Sequence, residues 1–296
     1  MLPYLQLLRL PTVFTAMADI VLGRMLVNGR TLEPYPEFFT ILAASCALYL
    51  SGMVFNDVFD VMQDTAERPN RPIPSGKVPR RSAAILGGVL MLAGIGVSAT
   101  LSVPTLIVAI TLAVMILGYD GYLKRTPLGP IAMGSCRFLN VLLAGAPSVS
   151  ELSQLLTPPQ LIVAGGLGVY IVGVTWFART EAKASQRGQL SGALVVLDLG
   201  LAVLAGLILR WPNDGDQLRS LLLLGVVAAS INMRAANAIR LATPPAVQQM
   251  IKLFLLNYVM VCAVMVFWHT GNGVAAMATA ALVIPPLIIS RVIAMT

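Results

Sequence analysis

Charged side chains are scarce in this chain of 296 residues, in which 11% are Asp, Glu, Lys or Arg and 57% are hydrophobic. Soluble globular proteins have roughly a quarter of their residues charged, so the composition excludes that class. The mean hydropathy of +0.82 points the same way. We therefore expect a polytopic membrane protein. Since no composition break marks a second domain, we expect residues 1–296 to form a single transmembrane domain.

Histidine and cysteine are also rare. The one histidine, His269, falls at the outer end of an apolar run, and the three cysteines are isolated in apolar runs. A Ser/His/Asp or Cys/His catalytic arrangement on the cytoplasmic side is excluded because no second histidine exists. The cysteines show neither a C-x-x-C pattern nor a Cys/His metal spacing.

Long hydrophobic runs are abundant. A helix that spans a bilayer needs roughly 20 mostly apolar residues, and on this basis we expect about ten spans. They lie near residues 8–28, 38–58, 82–102, 104–120, 128–147, 160–178, 190–210, 218–234, 246–268 and 273–293. We expect the first span to be retained rather than cleaved as a signal peptide.

The basic residues predict the orientation. With the N-terminus inside, most Lys and Arg fall on the cytoplasmic side, and the other side holds only Arg24, Arg30, Arg210 and Arg219. The net charge of +7 then reflects topology and contact with anionic membrane lipids, not binding to nucleic acid. We expect a bacterial inner (plasma) membrane protein whose distinctive polar loops face the cytoplasm.

One segment concentrates the acidic residues. If the chain from Tyr49 to Asp64 is helical, then Asp57, Asp60 and Asp64 share one face, with Asn56 beside them. Three acids on one face repel each other unless cations neutralise them, and Mg²⁺ is typically held by carboxylates together with substrate phosphate oxygens. A solvated helix end is the alternative. The position of the acids at the end of an apolar helix disfavours it, because charge near the membrane is costly.

Basic and aromatic residues stand in three cytoplasmic loops. Arg68 and Arg71 follow the acids in a proline-rich loop with Gly76 at a turn, and an arginine fork suits phosphate oxygens. The second loop offers Lys124 to an anion and Tyr119 or Tyr122 to a cation; interfacial anchoring is the alternative for these three residues. In the third loop, Glu181 is a candidate for cation binding, and Lys183 and Arg187 are candidates for one shared ligand; a structural ion pair is the alternative. Three charged residues lie within predicted spans, namely Asp19, Arg137 and Asp198. A charge within the membrane has a high free-energy cost, so each of them is a functional candidate. Asp19 and Asp198 are both candidates to neutralise Arg137, and the sequence does not choose between them or require either.

The segment from Asn56 to Gly76 resembles the UbiA superfamily of intramembrane prenyltransferases, and so do the Tyr119 to Arg125 stretch and the loop after the sixth span. The resemblance implies an all-α helical bundle around a central cavity and a Mg²⁺-dependent transfer of a prenyl group from an isoprenyl diphosphate to a small-molecule acceptor. It assigns the metal to Asn56, Asp57, Asp60, Asp64 and Glu181. It assigns catalysis to Asp57, Asp60, Asp64, Tyr119 and Lys124. Substrate binding would involve Asn56, Arg68, Arg71, Tyr122, Arg137, Glu181, Lys183 and Arg187.

The chain departs from the family pattern in two places. The second acidic motif has Glu181 alone, which implies that a second metal is weakly held, is replaced by fixed positive charge, or is lost together with catalysis. The span count also exceeds the family's usual nine. The third loop resembles that of the divergent EboC-like branch, so the acceptor stays open between an aromatic and a sugar-like or cyclitol-like compound.

Three other functions compete with this interpretation. A CDP-alcohol phosphotransferase is disfavoured because Val61 follows Asp60 where that family's D-G-x-x-A-R pattern needs glycine. A secondary transporter would use intramembrane charges near the midplane, whereas the polar chemistry here lies at the cytoplasmic rim. A non-catalytic lipid-diphosphate binder with a lost second metal is the hardest alternative to separate from an enzyme.

Overall fold

The computed structural model describes residues 2–181, 185–211 and 216–292. Within these ranges the chain is helical apart from short connections, and no strand is present. Thirteen α-helices follow one another: α1 Leu2–Leu8, α2 Val13–Val27, α3 Tyr35–Phe59, α4 Val61–Glu67, α5 Arg80–Ala99, α6 Val103–Gly121, α7 Gly129–Gly145, α8 Gln160–Ala178, α9 Arg187–Arg210, α10 Gln217–Leu241, α11 Pro244–Thr270, α12 Gly273–Ala281 and α13 Ile284–Val292.

Eight segments of the described chain are long and apolar enough to cross a membrane. The first, Pro3–Val27, combines α1, a 3-10 turn at Leu10–Thr12 and α2. Each predicted span overlaps a helix, but the fifth and the tenth are not among these eight segments. Helix α7, in the predicted span 128–147, has only 17 residues, and the predicted span 273–293 is divided into α12 and α13. The chain is an integral membrane protein with an all-α fold.

Local sequence signals explain several helix ends. The Ser102 hydroxyl accepts a hydrogen bond from the Thr105 amide at 3.2 Å, which caps the start of α6. Asp216 caps α10 in the same way, through the Arg219 amide at 2.9 Å. At the other end of α11, Gly271 has φ +66°, a left-handed conformation that glycine adopts without strain. The start of α11 carries Pro at its first position, where no hydrogen bond is lost.

Glycines allow the central helices to approach closely. A Cβ atom at Gly134 of α7 would lie 2.6 Å from the Gly168 carbonyl oxygen of α8. A Cβ atom at Gly200 of α9 would lie 2.6 Å from the Gly166 carbonyl oxygen on the same helix α8. Helix α8 is therefore held between α7 and α9 with their backbones nearly in contact, a packing typical of membrane bundles.

A small second core fixes the loop that follows α4. Its buried members are Leu7, Val54, Val58, Ile73, Val78 and Ala83. Ile73 and Val78 belong to the proline-rich loop itself, and the Val78 amide donates to the Pro72 carbonyl at 3.0 Å. Gly76 has φ +74°, as the predicted turn requires. The loop thus holds Arg71 against the end of α3.

Candidate active site

The acidic segment is not one continuous helix. Helix α3 ends at Phe59, Asp60 has φ −92° and ψ 5°, and α4 begins at Val61. The prediction that Asp57, Asp60 and Asp64 share one helical face is therefore wrong, because the turn at Asp60 separates its side chain from the other two. The three carboxylates instead meet two different sets of cations.

The first set surrounds Arg71, whose side chain is 4% exposed. Its Nη1 atom lies 2.7 Å from Asp64 Oδ2 and 3.4 Å from Asp57 Oδ1. Arg9 Nη2 also donates to Asp57 Oδ1. Burial, and then the neighbouring charge of Arg9, lower the pKa of Arg71 from its usual value, against the opposing effect of Asp57. Two carboxylates and two guanidinium groups thus form one buried ionic cluster at the end of α3.

The second set surrounds Asp60. Lys124 Nζ lies 2.8 Å from Asp60 Oδ2, and Arg125 Nη2 lies 3.7 Å from Asp60 Oδ1. Asp60 Oδ1 is shielded from solvent and accepts no hydrogen bond from the residues described. This cluster joins the loop after α6 to the end of α3.

Asp120 extends the second cluster. Its Oδ1 atom accepts a hydrogen bond from Asn56 Nδ2 at 3.1 Å and lies 3.9 Å from Lys124 Nζ. Asp120 is 3% exposed. A carboxylate four residues before a lysine is a signal that the sequence contains, but Asp120 had no predicted role because Lys124 follows the end of α6 in a separate turn.

Glu181 meets a cation other than a metal. Arg68 Nη2 donates to Glu181 Oε1 at 2.6 Å, which ties the loop after α4 to the end of α8. Among residues 2–181, 185–211 and 216–292, no group of three His, Cys, Asp or Glu side chains is arranged to hold a metal. The described residues therefore do not bring Glu181 together with Asp57, Asp60 and Asp64 as the predicted metal set requires.

The third loop holds two further predicted substrate-binding residues, Lys183 and Arg187. Lys183 lies outside the described residues. Arg187 is the exposed first residue of α9, and residues 185 and 186 before it are not helical. The prediction that Lys183 and Arg187 bind one shared ligand includes Lys183 and so stays a prediction. Tyr122 is 72% exposed, so its ring does not enter the cavities described below, whereas Tyr119 does.

A wide polar cavity opens beside the first cluster. Its volume is about 1290 Å³, including the open space at its entrance. The basic residues that line it are Arg9, Arg68, Arg71 and Lys252, and the acidic residues are Glu67 and Glu181. Gln6, Asn70 and Gln248 add uncharged polar groups. The lining is suited to a charged, hydrated ligand.

An apolar cavity of about 520 Å³ lies between α3, α6 and α7. Its polar end carries Asn56, Tyr119 and Asp120, and its walls include Met53, Leu112, Ile116, Met133 and Cys136. Its position puts an apolar compartment directly behind the Asp60 and Lys124 cluster.

Arg137 lines the apolar cavity but is held by a buried network. Its Nη1 atom lies 3.1 Å from Asp19 Oδ2, its Nη2 atom donates to Thr15 Oγ1 at 2.6 Å, and its guanidinium lies over the rings of Tyr49 and Tyr258. Asp19 is thus the carboxylate that neutralises Arg137. Asp198 instead accepts a hydrogen bond from Asn232 at 3.0 Å.

Residues 16–189 match the family described as UbiA prenyltransferase. The match covers more than half of the chain and contains the aspartates of both clusters. The chain belongs to the UbiA prenyltransferase family. Its region after residue 189, including Lys252, lies beyond the family match.

Relatives agree with the family assignment. The chain is 32% identical over 152 residues to a digeranylgeranylglyceryl phosphate synthase of Saccharolobus solfataricus, a match that covers 50% of this chain and 52% of that protein. The chain thus spans about half the length of this UbiA relative.

Solved structures share the fold. A UbiA homologue from Aeropyrum pernix K1, in its apo form, has a TM-score of 0.66 at 16% identity, covering 94% of this chain and 98% of that one. A UbiA homologue from Archaeoglobus fulgidus bound to DMAPP and Mg²⁺ has a TM-score of 0.56 at 14% identity, covering 94% and 99%. These likenesses establish the UbiA fold, and they confirm the all-α bundle predicted by the resemblance.

One residue of the candidate site had no predicted role apart from topology. Arg9 was assigned only to the cytoplasmic side, yet it contacts Asp57 and lines the polar cavity. A basic residue before the first span is typical of positive-inside topology, so the pattern did not separate a site residue from an anchor. Its role emerges only when the first span is packed against α3.

Proposed function

We propose that this chain is a membrane prenyltransferase that transfers an isoprenyl group from an isoprenyl diphosphate to a small-molecule acceptor. One observation carries the proposal: the second cluster, in which Lys124 contacts Asp60 and Asp120, stands at the polar end of an apolar cavity. The first cluster, around Arg71, borders the polar cavity. An isoprenyl diphosphate has the same division, with a multiply charged head on an apolar chain. The chemistry of the Archaeoglobus fulgidus relative's ligands, DMAPP and Mg²⁺, supports it.

The proposed placement puts the diphosphate near Arg68, Arg71 and Lys124 and the isoprenoid chain among Leu112, Ile116 and Met133. Each of the three cations is now paired with a protein carboxylate. When the donor binds, each of these cations would exchange its carboxylate partner for phosphate oxygens. Carboxylates and phosphates both bind guanidinium groups well. Tyr119 lines the cavity at its polar end, where its ring faces the space that the reacting carbon would occupy.

Magnesium would bind at the first acidic motif together with the diphosphate. Asp60 Oδ1 is a buried carboxylate oxygen without a hydrogen-bond donor, and it would bind the ion directly. Asp57 and Asp64 are paired with Arg9 and Arg71 and form no metal site with Asp60 among the described residues, so they and Asn56 would bind the ion only when the diphosphate has replaced them as the partner of these arginines. When bound, Mg²⁺ neutralises the diphosphate and favours its departure.

The reaction balances simply. The bond between the donor's C1 atom and its diphosphate oxygen breaks, and the electron pair leaves with the diphosphate. A nucleophilic atom of the acceptor bonds to C1 and loses a proton to water. The chain's own contribution is to hold the leaving group with fixed cations and to shield the allylic cation from water within the apolar cavity.

A non-catalytic lipid-diphosphate binder is the second candidate, and Glu181 favours it. The residue that stands in the family's second acidic motif is engaged with Arg68 at 2.6 Å. A site with one metal would bind the donor and lack charge to drive ionisation. We further propose that the site faces the cytoplasm of a bacterial inner membrane, which the clustering of basic residues around it supports.

The test is release of diphosphate by the purified protein in lipid nanodiscs, with geranyl, farnesyl or geranylgeranyl diphosphate, with and without Mg²⁺. Asp60→Asn is the more informative variant. It removes the carboxylate charge of Asp60, whose Oδ1 atom accepts no hydrogen bond, without changing the ionic cluster around Arg71. Asp57→Ala is the second variant. Donor binding is measured in the same samples. Mg²⁺-dependent release that is lost in both variants supports the enzyme, and binding without release in the presence of candidate acceptors favours the binder. If the protein neither binds the donor nor releases diphosphate, both the enzyme and the binder are rejected and the transporter is favoured.

A further inference from the structure

A groove runs between helices α9 and α10, both of which are long and apolar enough to cross a membrane. Its volume is about 630 Å³, including the open space at its mouth. It shares no lining residue with the polar cavity or the apolar cavity of the candidate active site. Exposed apolar side chains stand beside it, such as Leu199 of α9 and Leu222 of α10. The groove therefore lies on the surface of the bundle that faces lipid.

A carboxylate lines this groove at the middle of the membrane. Helix α9 has 24 residues between Arg187 and Arg210, and Asp198 stands at its midpoint. At a rise of about 1.5 Å per residue, half of this helix measures roughly 18 Å, which is comparable with half the thickness of the hydrocarbon core, about 15 Å. An ionisable side chain at this depth has a high free-energy cost and indicates a functional site.

The partner of Asp198 is an amide and not a cation. Asn232 Nδ2 of α10 donates to Asp198 Oδ1 and to the Ala228 carbonyl, each at 3.0 Å, which uses both of its N–H groups. Among residues 2–181, 185–211 and 216–292, no Lys, Arg or His side chain pairs with Asp198, and its Oδ2 atom accepts no hydrogen bond. Asp19, an acid within the first span, is by contrast fully buried and paired with Arg137. Asp198 thus keeps an acceptor oxygen for a group that enters the groove.

The floor of the groove has room for a close approach. Its small residues are Ala202 and Ala205 of α9 and Gly225 and Ala228 of α10. A Cβ atom at Gly225 would have no atom within 4 Å, whereas one at Gly200 would lie 2.6 Å from α8. The packing of α10 in the bundle therefore does not require glycine at position 225. The open space leaves the backbone of α10 accessible from the lipid side, and small residues are typical of the places where membrane helices meet.

We propose that this groove binds a transmembrane helix of another protein, which carries a lysine or arginine that pairs with Asp198. The charge of Asp198 identifies the group, because a cation at the same depth offsets the cost of a carboxylate in hydrocarbon. The depth identifies the carrier. Lipid head groups and soluble cations stay about 15 Å from the bilayer midplane, whereas a spanning helix crosses it.

A second copy of this chain does not offer that cation. Arg137, the basic residue at the centre of a predicted span, is 6% exposed and is bound to Asp19. The partner is therefore a different protein. This inference does not depend on the prenyltransferase function proposed above, because no residue of the groove lines the candidate active site.

Photo-crosslinking with a synthetic helix tests the groove directly. The probe is a single-span peptide of leucine and alanine, about 20 residues long, with one lysine at its centre and a diazirine-bearing leucine one turn away. It is reconstituted with the purified protein in liposomes of phosphatidylcholine. We expect adducts on the peptides of α9 and α10 that line the groove. The same peptide with leucine in place of lysine should bind about tenfold more weakly, since interhelical polar contacts in model peptides contribute about 1–2 kcal/mol.

Three variants separate charge from shape. Asp198→Asn removes the charge at nearly constant volume and should lower the apparent affinity of the lysine peptide about tenfold. Gly225→Leu fills the groove at a position without close neighbours, so it should weaken binding even if Asp198→Asn also lowers stability. Gly96→Leu is the matched control. Gly96 is another exposed glycine within a span, a Cβ atom there would have no atom within 4 Å, and it lines none of the cavities described here, so the affinity should stay unchanged.

Equal labelling by the leucine peptide, an unchanged affinity in Asp198→Asn, or adducts outside α9 and α10 would each overturn the proposal. So would equal losses in Gly225→Leu and Gly96→Leu. The oligomeric state of the protein alone tests the remaining occupant, a second copy. We expect wild type and Asp198→Asn to show the same distribution of photobleaching steps in single liposomes. A wild-type dimer that dissociates in Asp198→Asn would assign the groove to a second copy and would reject the proposed partner.

Discussion

Arg68 Nη2 lies 2.6 Å from Glu181 Oε1, although 113 residues separate the two along the chain. The pair connects the loop after the first acidic motif to the residue that replaces the second. Both side chains are about 30% exposed, so the pair contributes roughly 0–1 kcal/mol to stability. Its greater importance is competitive: Arg68 cannot bind a diphosphate fully while Glu181 holds it.

Neutralising Glu181 should therefore strengthen donor binding. We expect Glu181→Gln to lower the donor Kd by roughly threefold to fivefold, an effect of up to about 1 kcal/mol, measured by isothermal titration calorimetry in Mg²⁺. Glu151→Gln, at an exposed residue in a different connection of the chain, is the control and should not change the Kd. A higher donor Kd in Glu181→Gln would contradict this prediction and would favour the metal-binding role that the sequence pattern suggested.

Lys124 and Arg125 are adjacent but should differ in their effects. Lys124 is 11% exposed and lies 2.8 Å from Asp60, whereas Arg125 is 59% exposed and lies 3.7 Å away. We expect Lys124→Ala to lower kcat about 100-fold, in the range found when one oxyanion-stabilising donor is removed. Arg125→Ala should lower it less than about threefold. Similar losses in both variants, measured as diphosphate release, would show that general positive charge and not the Lys124 position matters.

The Asp19 network should be essential for stability. Asp19 is fully buried and accepts hydrogen bonds from Arg137, Asn140 and Tyr258. Asp19→Ala leaves the Arg137 charge without its carboxylate, at a cost of about 3–5 kcal/mol. We expect a large fall in Tm in detergent.

The matched control for that experiment is Asp198→Ala. Asp198 also lies within a span, but it is only partly buried and has Asn232 as its partner. Its loss should lower the Tm much less. If the two alanine variants unfold at the same temperature, the Arg137 network has no special contribution.

The depth of the apolar cavity should set the preferred donor length. Leu112 lies eight residues before Asp120 on α6, which places it about 12 Å deeper in the membrane. We expect Leu112→Trp to raise the Kd of geranylgeranyl diphosphate at least tenfold and to leave that of dimethylallyl diphosphate within twofold, measured by competition binding. Leu117→Trp, on the exposed side of the same helix, is the control. Equal weakening of both donors would place the isoprenoid chain elsewhere.

Much of the fold was readable in the sequence. Apolar runs predict membrane helices because each span must satisfy its backbone hydrogen bonds internally, and the predicted spans overlap the observed helices. Two predicted spans differ from the observed helices in length. The predicted span 273–293 is divided between Ala281 and Ile284, and the helix in the predicted span 128–147, α7, has only 17 residues.

The site was readable in part. The sequence identified the three aspartates, Arg68, Arg71 and Lys124 as one region, and the structure brings them to the same end of the bundle. It did not reveal which acid pairs with which cation. Arg9 had no assigned role in the site, because its partner Asp57 is 48 residues away and the pair forms only when two spans pack.

The sequence alone determined that the chain is a helical membrane protein and where its charges concentrate, because both follow from composition and from residues close together in the chain. Only the tertiary structure decided that Asp57 and Asp64 share Arg71, that Glu181 contacts Arg68, and that Asp19 neutralises Arg137. Each of these depends on helices distant in the chain. Their contacts are set by backbone packing and side-chain reach, which no local pattern contains.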